Sequence, residues 1–404
     1  MGEERQIISR AGTNMDGASA HNRRVVVDAL RLNGALSRAD LARCTLLTRQ
    51  TTSNIVDDLE AAGLVRAEAA VKLKRGQPAV PYKLVPDGAF AIGLHIDKRY
   101  LRAVAVNLLC EPLIQIGCEL PDEGPYRGVP VALDLIEKVR SDLRHFSREA
   151  DQRTVGLGIA MPGPFGVKRQ SQHQAAIAQW HTYPLPKMFA EATGLSVRIL
   201  NDAAAAALAE KLGGVAQGIE NFVHIFLAYG VGAGVVLNGE LFEGARGNVG
   251  EIGEMVLSLG PDGKTGKTLE EEASLASLAA YLGAEGRSAP EIFDLVAEAL
   301  ATNDPRIGKW IETVAPKLRQ VVQVIESAFD PDTVIFGGEV PHGLLEKLVP
   351  ALDPLFTSVA TRPDRALPRL MIGDANRWAV ALGAAAEPIS RAFDPRLAAM
   401  LKAE

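Results

Sequence analysis

The sequence lacks the features that mark membrane, secreted and disulfide-linked proteins. It has no run of the roughly 18 apolar residues that a membrane-spanning helix needs. No apolar stretch follows the charged start MGEERQIISR, so we expect no signal peptide. Only 3 of the 404 residues are cysteine, and these form no CxxC pair. These absences predict a cytoplasmic protein with no disulfide scaffold and no membrane partner.

The composition is that of a globular protein with an uneven distribution of charge. Apolar residues make up 47% of the chain and charged residues 23%, and the length favours two or three domains. Residues 1–90 hold 13 Lys and Arg against 10 Asp and Glu, whereas the remainder holds 30 against 39. The mildly basic first region therefore suggests a polyanionic partner for that region alone.

The first region has the pattern of a winged helix-turn-helix. A polar arm at residues 1–20 precedes a predicted helix over 22–33, in which apolar residues recur at helical spacing. Ser37 and Thr48 are suited to cap two further helices. Two β-like runs then flank the basic turn KLKRGQP. We therefore predict a DNA-binding domain over residues 21–86, although a helical domain for protein contacts is the alternative.

The third helix of such a domain enters the DNA major groove with its N-terminal side chains foremost. Arg49 and Gln50 have the chemistry to recognise guanine and adenine edges, and the nearby hydroxyls suit phosphates. The core face of the same helix is predicted at Thr52, Ile55, Val56 and Leu59. The predicted DNA contacts in the helices and the wing are Arg38, Thr48, Arg49, Gln50, Thr52, Ser53, Lys74 and Arg75.

The body of the chain follows a duplicated plan. Three consecutive strands, a helix and a buried strand are predicted between residues 91 and 160, and a second trio of strands begins at residue 222, about 130 residues after the first. Such a plan predicts two lobes around a cleft. We place the first lobe at residues 89–202 together with the C-terminal helix 375–392, and the second at 203–374.

Several motifs in the body have both a chemical and a structural interpretation. Asp202 could be a general base for a sugar hydroxyl, but either residue of the pair Asn201-Asp202 would also cap the following helix. The glycines of GVGAG at 230–234 could approach phosphate or fit a crowded hairpin. Glu270 could accept hydrogen bonds from a sugar, or it could stabilise a helix N-terminus.

In this order the motifs resemble those of the ROK family, which comprises repressors, open reading frames and sugar kinases. The resemblance extends from about Asn22 to the end of the chain. It rests on the winged head and on the body stretches GLGIAMPGPFG, ILNDAAAAALAE, GVGAGVVLNGELFEGARGNVGEIGEM and VIFGGEV. The implied fold class is α/β: a winged helix-turn-helix followed by the two-lobed, actin-like ATPase fold of ROK sugar kinases, with sugar bound in the cleft.

The sequence departs from the family pattern where ROK kinases hold phosphate. Their first loop is of the DxGGT type, whereas the matching stretch here runs from His95 to Arg99 without glycine. At the second loop the usual Gly-Thr is replaced by Ala228-Tyr229. We therefore expect no ATP cofactor. Asp202, which matches the catalytic base of the family, would then bind a sugar hydroxyl without chemistry.

The zinc site of many ROK members is also missing from the sequence. Its histidine position is Glu254, and the segment GPDGKTGKTLEEEAS contains no cysteine, so we predict no metal. Trp180 either stacks on a sugar or belongs to the core. The resemblance and the residue chemistry together imply sugar contacts at Gly163, Asn201, Asp202, Glu251, Glu254 and Glu270.

We expect a transcriptional repressor that binds double-stranded operator DNA as a homodimer or homotetramer, with a small-molecule sugar effector bound in its body and not phosphorylated. The alternative is an ATP-dependent ROK sugar kinase that carries a DNA-binding head. A third possibility is a body that docks another protein and has only a vestigial cleft.

Overall fold

The computed structural model describes residues 15–70, 79–97, 100–120, 124–167, 179–259, 261–262 and 266–395. The chain divides into two compact units. The first unit comprises the chain up to Gly88 and the segment from Arg391 onward, and the second comprises Ala89–Ser390. None of the helices in the described ranges is long and apolar enough to span a membrane.

The first unit is a winged helix-turn-helix, as predicted. Its elements are α1 Met15–Asn33, β1 Leu36–Ser37, α2 Arg38–Thr45, α3 Arg49–Ala61, β2 Val65–Ala67 and β3 Pro81–Leu84. The strands form an antiparallel sheet in the order β1-β3-β2. Helix α1 begins at Met15, so the prediction of an arm up to residue 20 is wrong for residues 15–20. The first turns of α1 have no apolar periodicity that would have marked them as helical.

Both predicted caps in this unit are present. Ser37 accepts a hydrogen bond from the Asp40 backbone, and Thr48 accepts one from the Thr51 backbone, so each satisfies a free N–H at a helix start. The predicted core face of α3 is buried as well, at Thr52, Ile55, Val56 and Leu59. Helix α3 is therefore held by its inner face, which leaves its outer face to solvent.

The second unit contains two five-stranded sheets with the same plan. The first sheet has the order β6-β5-β4-β7-β8, in which β6, β5 and β4 are antiparallel and β4, β7 and β8 are parallel. Its elements and the helices that accompany them are β4 Phe90–Ile96, β5 Tyr100–Asn107, β6 Pro112–Glu119, α4 Pro125–Phe146, α5 Ala150–Arg153, β7 Thr154–Met161, α6 Leu185–Thr193 and β8 Val197–Asn201. We call this part the first lobe.

The second sheet has the order β11-β10-β9-β14-β15 with the same pattern of directions, and the part built on it is the second lobe. Its elements are α7 Asp202–Gly213, β9 Phe222–Leu227, β10 Val231–Leu237, β11 Glu240–Leu241, β12 Val256–Leu259, β13 Gly266–Thr268, α8 Leu269–Ala273, α9 Leu275–Tyr281, α10 Ala289–Ala301, α11 Pro305–Phe329, β14 Thr333–Gly338, α12 His342–Leu348 and β15 Leu370–Ala375. The last helix, α13 Ala379–Phe393, packs against the first sheet, since side chains at Gly93 and Gly158 would overlap its main chain. The predicted duplication is therefore present. Helices α8 and α9 are separate, because Ser274 between them caps the second.

The end of the chain belongs to the first unit, which corrects the predicted assignment of the whole of 89–404 to the body. Arg31 on α1 forms an ion pair with Asp394 at 2.9 Å, and the two side chains are only 4% and 2% exposed. Arg24 also donates to the Ala392 carbonyl at 3.1 Å. Helix α13 therefore begins in the second unit and ends in the first.

Candidate functional site

A cleft of about 130 Å³ lies at the carboxyl ends of the central strands of the second unit. Residues of both lobes form its walls. They include His95, Asp97, Gly163, Asn201, Asp202, Tyr229, Gly230, Glu251, Glu254, Glu270 and Glu339. The structure thus brings all six predicted sugar contacts to one cavity.

Asp202 is placed by the turn from β8 into α7. The Asn201 side chain caps this helix, because its Oδ1 accepts a hydrogen bond from the Ala204 N–H at 2.7 Å. The structural interpretation of the pair is therefore correct for Asn201, and Asp202 is free of that task. Asp202 Oδ1 is buried and has no hydrogen-bond partner in the described part of the chain. One carboxylate oxygen is thus available to a ligand hydroxyl.

His95, at the end of β4, is buried between two carboxylates. Its Nε2 is 3.6 Å from Asp202 Oδ2, and its Nδ1 is 3.4 Å from Glu339 Oε1. Arg102 on β5 donates to both oxygens of Glu339 at 3.2 Å. Because Glu339 follows β14 while His95 and Arg102 lie in the first sheet, this His95–Arg102–Glu339 network connects the two lobes.

The electrostatics of the network determine the charge of His95. Burial lowers the pKa of this imidazole, but the charges of Asp202 and Glu339 outweigh burial and raise the pKa of His95 to about 10. The ring is therefore protonated at neutral pH. Burial raises the pKa of Asp202, and His95 opposes that shift by stabilising the carboxylate. The two groups form a compensated ion pair inside the protein.

Two further carboxylates, Glu251 and Glu270, line the cleft next to glycines. Glu251 Oε1 is 3.5 Å from Asn201 Nδ2, and it occupies the space that a side chain at Gly163 would fill. Glu270 lies over Gly230 in the same way and accepts a hydrogen bond from the Val231 N–H at 3.1 Å. Glu270 therefore occupies a backbone donor of the glycine-rich hairpin.

The three consecutive glutamates of α8 have different tasks. Glu271 completes a capping box with Thr268, so the helix-terminus role considered for Glu270 is filled by its neighbour. Glu272 forms an ion pair with Lys317 at 2.8 Å. Only Glu270 of the three lines the cleft. The pattern EEE alone could not distinguish these roles.

The glycines of the β9–β10 hairpin allow close packing of helix α7. A side chain at Gly234 would overlap the Ala203 carbonyl and the Ala207 side chain, and one at Gly232 would lie 3.1 Å from the Ala203 Cβ. The interpretation of 230–234 as a crowded hairpin is therefore correct for these two positions.

In the first unit, the N-terminal end of α3 presents an exposed polar surface. Arg49 and Gln50 are exposed there. Gln50 donates to the Asn54 side chain at 2.9 Å, so the two amides lie side by side on the outer face. Asn54 was not predicted, although its position one helical turn after Gln50 could have indicated it.

The remaining predicted DNA contacts are placed differently. Thr52 is fully buried and donates to the Thr48 carbonyl at 3.0 Å, so it is a core residue and its prediction as a DNA contact is wrong. Arg38 is held within the domain, since it donates to the Ser53 side chain, to Asp57 and to the Tyr82 hydroxyl. Lys74 and Arg75 lie outside the described residues.

A model of the ROK family matches residues 132–387, which is more than half of the chain. This chain belongs to the ROK family. A model of the MarR family matches residues 25–76, a span within the winged helix-turn-helix. The chain thus joins a winged DNA-binding unit to a ROK body.

Three proteins similar to this chain are named as a repressor, a transcriptional regulator and a hexokinase. The xylose repressor of Caldicellulosiruptor bescii is 25% identical over 334 residues, which cover 79% of this chain and 83% of the relative. A ROK family transcriptional regulator, a homologue of the E. coli Mlc protein, superposes with a TM-score of 0.68 at 23% identity and covers 94% of this chain and 98% of that one. The ROK hexokinase of Thermus thermophilus superposes with a TM-score of 0.53 at 28% identity. It covers 74% of this chain and 97% of its own.

Sequence reasoning missed two residues of the ROK cleft network, Arg102 and Glu339. A charged residue within the apolar strand Tyr100–Asn107 is a signal that could have identified Arg102, because a buried guanidinium requires a partner. Trp180, for which stacking on sugar and core packing were both open, is 3% exposed and packs in the core of the first lobe.

Proposed function

We propose that this protein is a sugar-responsive transcriptional repressor. Its winged unit would bind operator DNA, and its ROK body would bind a sugar or sugar derivative without phosphorylating it. The observation that carries the proposal is the His95–Arg102–Glu339 network, since it begins in the stretch that corresponds to the phosphate loop of ROK kinases. In the stretch from His95 to Arg99, charged side chains replace the glycines of the kinase loop.

His95 of this network also pairs with Asp202, which matches the catalytic base of ROK kinases. A kinase needs this carboxylate to take a proton from the sugar hydroxyl. Here one oxygen of Asp202 is already paired with the protonated imidazole of His95, which opposes the rise in the pKa of Asp202 that burial causes. Its second oxygen still accepts hydrogen bonds. The arrangement therefore suits binding of a sugar hydroxyl.

The charge of the cleft also disfavours a nucleotide. Its walls hold six carboxylates and the single histidine His95. A triphosphate would meet like charge at short distance, whereas a neutral sugar would find hydrogen-bond acceptors. Glu270 in addition occupies the Val231 N–H, a donor that a phosphate could otherwise use.

The relatives fit this function. A relative named as a xylose repressor aligns with 79% of this chain, whereas the ROK hexokinase covers 74% of it, about the share that the ROK body represents. In a repressor, the effector must bind the DNA-free state more tightly by about 1–3 kcal/mol of coupling. A symmetric dimer would require a pseudo-palindromic operator with half-sites separated by whole helical turns.

The decisive experiment is fluorescence-anisotropy binding to DNA from upstream of the protein's own gene, repeated with a panel of sugars. We expect tight, salt-sensitive binding that one sugar weakens. Binding that is indifferent to every sugar would contradict the effector role. Sugar-dependent ATP turnover by the same protein would establish the kinase alternative, for which the retained Asp202 is the supporting observation.

Arg49→Ala tests the DNA surface. We expect a loss of about 1–3 kcal/mol in operator binding and relaxed preference at one base position, because a bidentate contact to a base edge is removed. Arg287→Ala removes an equally exposed arginine from the second unit and should leave binding unchanged. Uniform weakening on all DNA sequences would instead identify Arg49 as a phosphate contact.

Asp202→Asn tests the sugar site. We expect operator affinity to be retained and the response to the effector to fall by about tenfold or more, since a charged acceptor in a buried site is lost. The exposed substitution Asp142→Asn on α4 is the matched control. An unchanged sugar response in Asp202→Asn would exclude this carboxylate from effector binding.

A further inference from the structure

The second unit contains another cavity beside the cleft, with a volume of about 290 Å³. Phe165 and His181 contribute to its walls from the first lobe, and Phe242, Glu243 and Arg246 contribute from the loop after β11. Asn201 lines both this cavity and the cleft. We call it the side cavity.

The aromatic wall of the side cavity suits the apolar face of a ring. Phe165 and His181 pack edge to face with centroids 4.9 Å apart, and His181 Nε2 is 2.8 Å from the Pro162 carbonyl. Burial lowers the pKa of His181, so the ring is neutral and its Nε2–H donates to that carbonyl. Phe242 is 47% exposed although it is a large apolar side chain. A ligand ring would cover surface that is otherwise left to water.

The opposite wall supplies polar groups. Glu243 forms an ion pair with Arg198 at 3.1 Å. Arg246 is exposed and has no ion-pair partner among the described residues. Its guanidinium therefore has donors available for the hydroxyls of a ligand. Apolar and aromatic walls with a few placed polar groups are the usual make-up of a small-molecule site.

The two cavities together have the size of one ligand site. Pockets for small molecules measure about 300–1,000 Å³. The cleft alone, at about 130 Å³, falls below that range, and the combined volume of the two cavities lies within it.

We propose that the effector is larger than one sugar ring. It is a disaccharide or a glycoside with a ring-sized aglycone: one ring binds the acidic cleft at Asp202, and the second ring binds the side cavity against Phe242 and Arg246. The proposal rests on the sugar-binding function of the cleft and defines the class of ligand that fills it. No covalent step is involved.

Isothermal titration calorimetry with monosaccharides and their matched disaccharides tests the size of the ligand. The probes are D-xylose with xylobiose, and D-glucose with cellobiose and maltose. We expect one disaccharide to bind about tenfold or more tightly than its monosaccharide, because only the disaccharide reaches the second cavity. Binding of every disaccharide with no gain over its monosaccharide overturns the proposal.

Two substitutions locate the gain. Phe242→Ala and Arg246→Ala should each reduce disaccharide affinity by about tenfold and leave monosaccharide affinity within about twofold. Phe356→Ala is the matched control, because Phe356 is exposed to a similar degree at 42% and lines neither cavity. Equal losses for both sugars, or the same loss in the control, would contradict the assignment of the second ring.

The experiments distinguish a failure of the proposed repressor function from a failure of the proposed two-ring effector. If no sugar of the panel binds or alters DNA affinity, both the effector function and the extended ligand are wrong. If a monosaccharide releases DNA as well as its disaccharide does, and Phe242→Ala changes neither, the repressor function stands and the extended ligand is wrong.

Discussion

The two sheets of the ROK body have the same strand order, but the histidines on their central strands are in opposite charge states. His95 on β4 lies between Asp202 and Glu339, which raise its pKa to about 10. His224 on β9 is equally buried, and neither of its ring nitrogens has a hydrogen-bond partner in the described ranges. Burial therefore lowers the pKa of His224 to about 3.

The two histidines are both buried on central strands, so the fold accounts for their burial. Their different charge states come from the side chains around them. At the cleft the first lobe places His95 and Asp97 at the end of β4, whereas the second lobe places the glycines of the β9–β10 hairpin there together with Glu270 and Glu339. The two copies of one sheet plan thus meet at an ion-pair network, and the hairpin of the second lobe is in addition closely packed against α7.

The largest expected effect comes from removing the charge of Glu339, which pairs with residues of the other lobe. Glu339→Gln leaves Arg102 and His95 buried without their shared carboxylate, so the free energy of unfolding should fall by about 3 kcal/mol. Urea unfolding at neutral pH measures this loss. Glu312→Gln, an exposed substitution on α11, should change it little. Similar small losses in both variants would show that the network does not stabilise the body.

Close packing in the second lobe gives the next largest effect. Gly234→Ala introduces a Cβ that overlaps the main chain and a side chain of α7, and we expect a loss of about 2 kcal/mol in unfolding free energy. Gly308→Ala on α11 meets no atom within 4 Å and should stabilise the protein by about 0.5–1 kcal/mol. Chemical unfolding of the two variants should therefore give opposite signs, and the same sign would contradict the packing argument.

The smallest effect concerns pH and His224. The unfolded histidine titrates near pH 6.5, while burial holds the pKa of the folded one at about 3. Stability from the neutral ring is therefore complete above about pH 6.5 and declines by up to about 1.4 kcal/mol per pH unit as the pH falls below that value. His224→Gln should remove this slope between pH 6.5 and 5 in urea unfolding series.

The control for the pH series is the exposed His342→Gln, which should retain the wild-type slope. His95 has the opposite sign. Its folded pKa is raised, so its contribution is complete below about pH 6.5 and declines as the pH rises from there through about 10. A wild-type acid slope in His224→Gln would mean that this ring is not neutral in the folded protein.

Local patterns were sufficient to predict much of the fold. Capping residues and apolar spacing identified the winged unit, and the two strand trios identified the duplicated body. The edge strands β8 and β15 were missed, because β8 has only five residues with Arg198 among them and β15 includes Asp374 and Gly373.

The candidate site was predictable where it is made of motif residues and unpredictable where distant segments meet. The six cleft residues came from recognisable stretches of sequence. Arg102 and Glu339 are 237 positions apart, and no local pattern indicates that they are partners. The same reason explains why the end of the chain was assigned to the wrong unit.

The pairing of Arg31 with Asp394 has a consequence for biosynthesis. These residues are 363 positions apart, so at about 5–20 residues per second the ribosome needs about 20–70 s to add the second after the first. Until then the guanidinium of Arg31 can pair with Asp28 of its own helix, at 3.9 Å, but lacks its shorter, buried ion pair. The DNA-binding unit therefore gains this buried ion pair only after residues 89–390 have been synthesised, which ties its full stability to synthesis of the body.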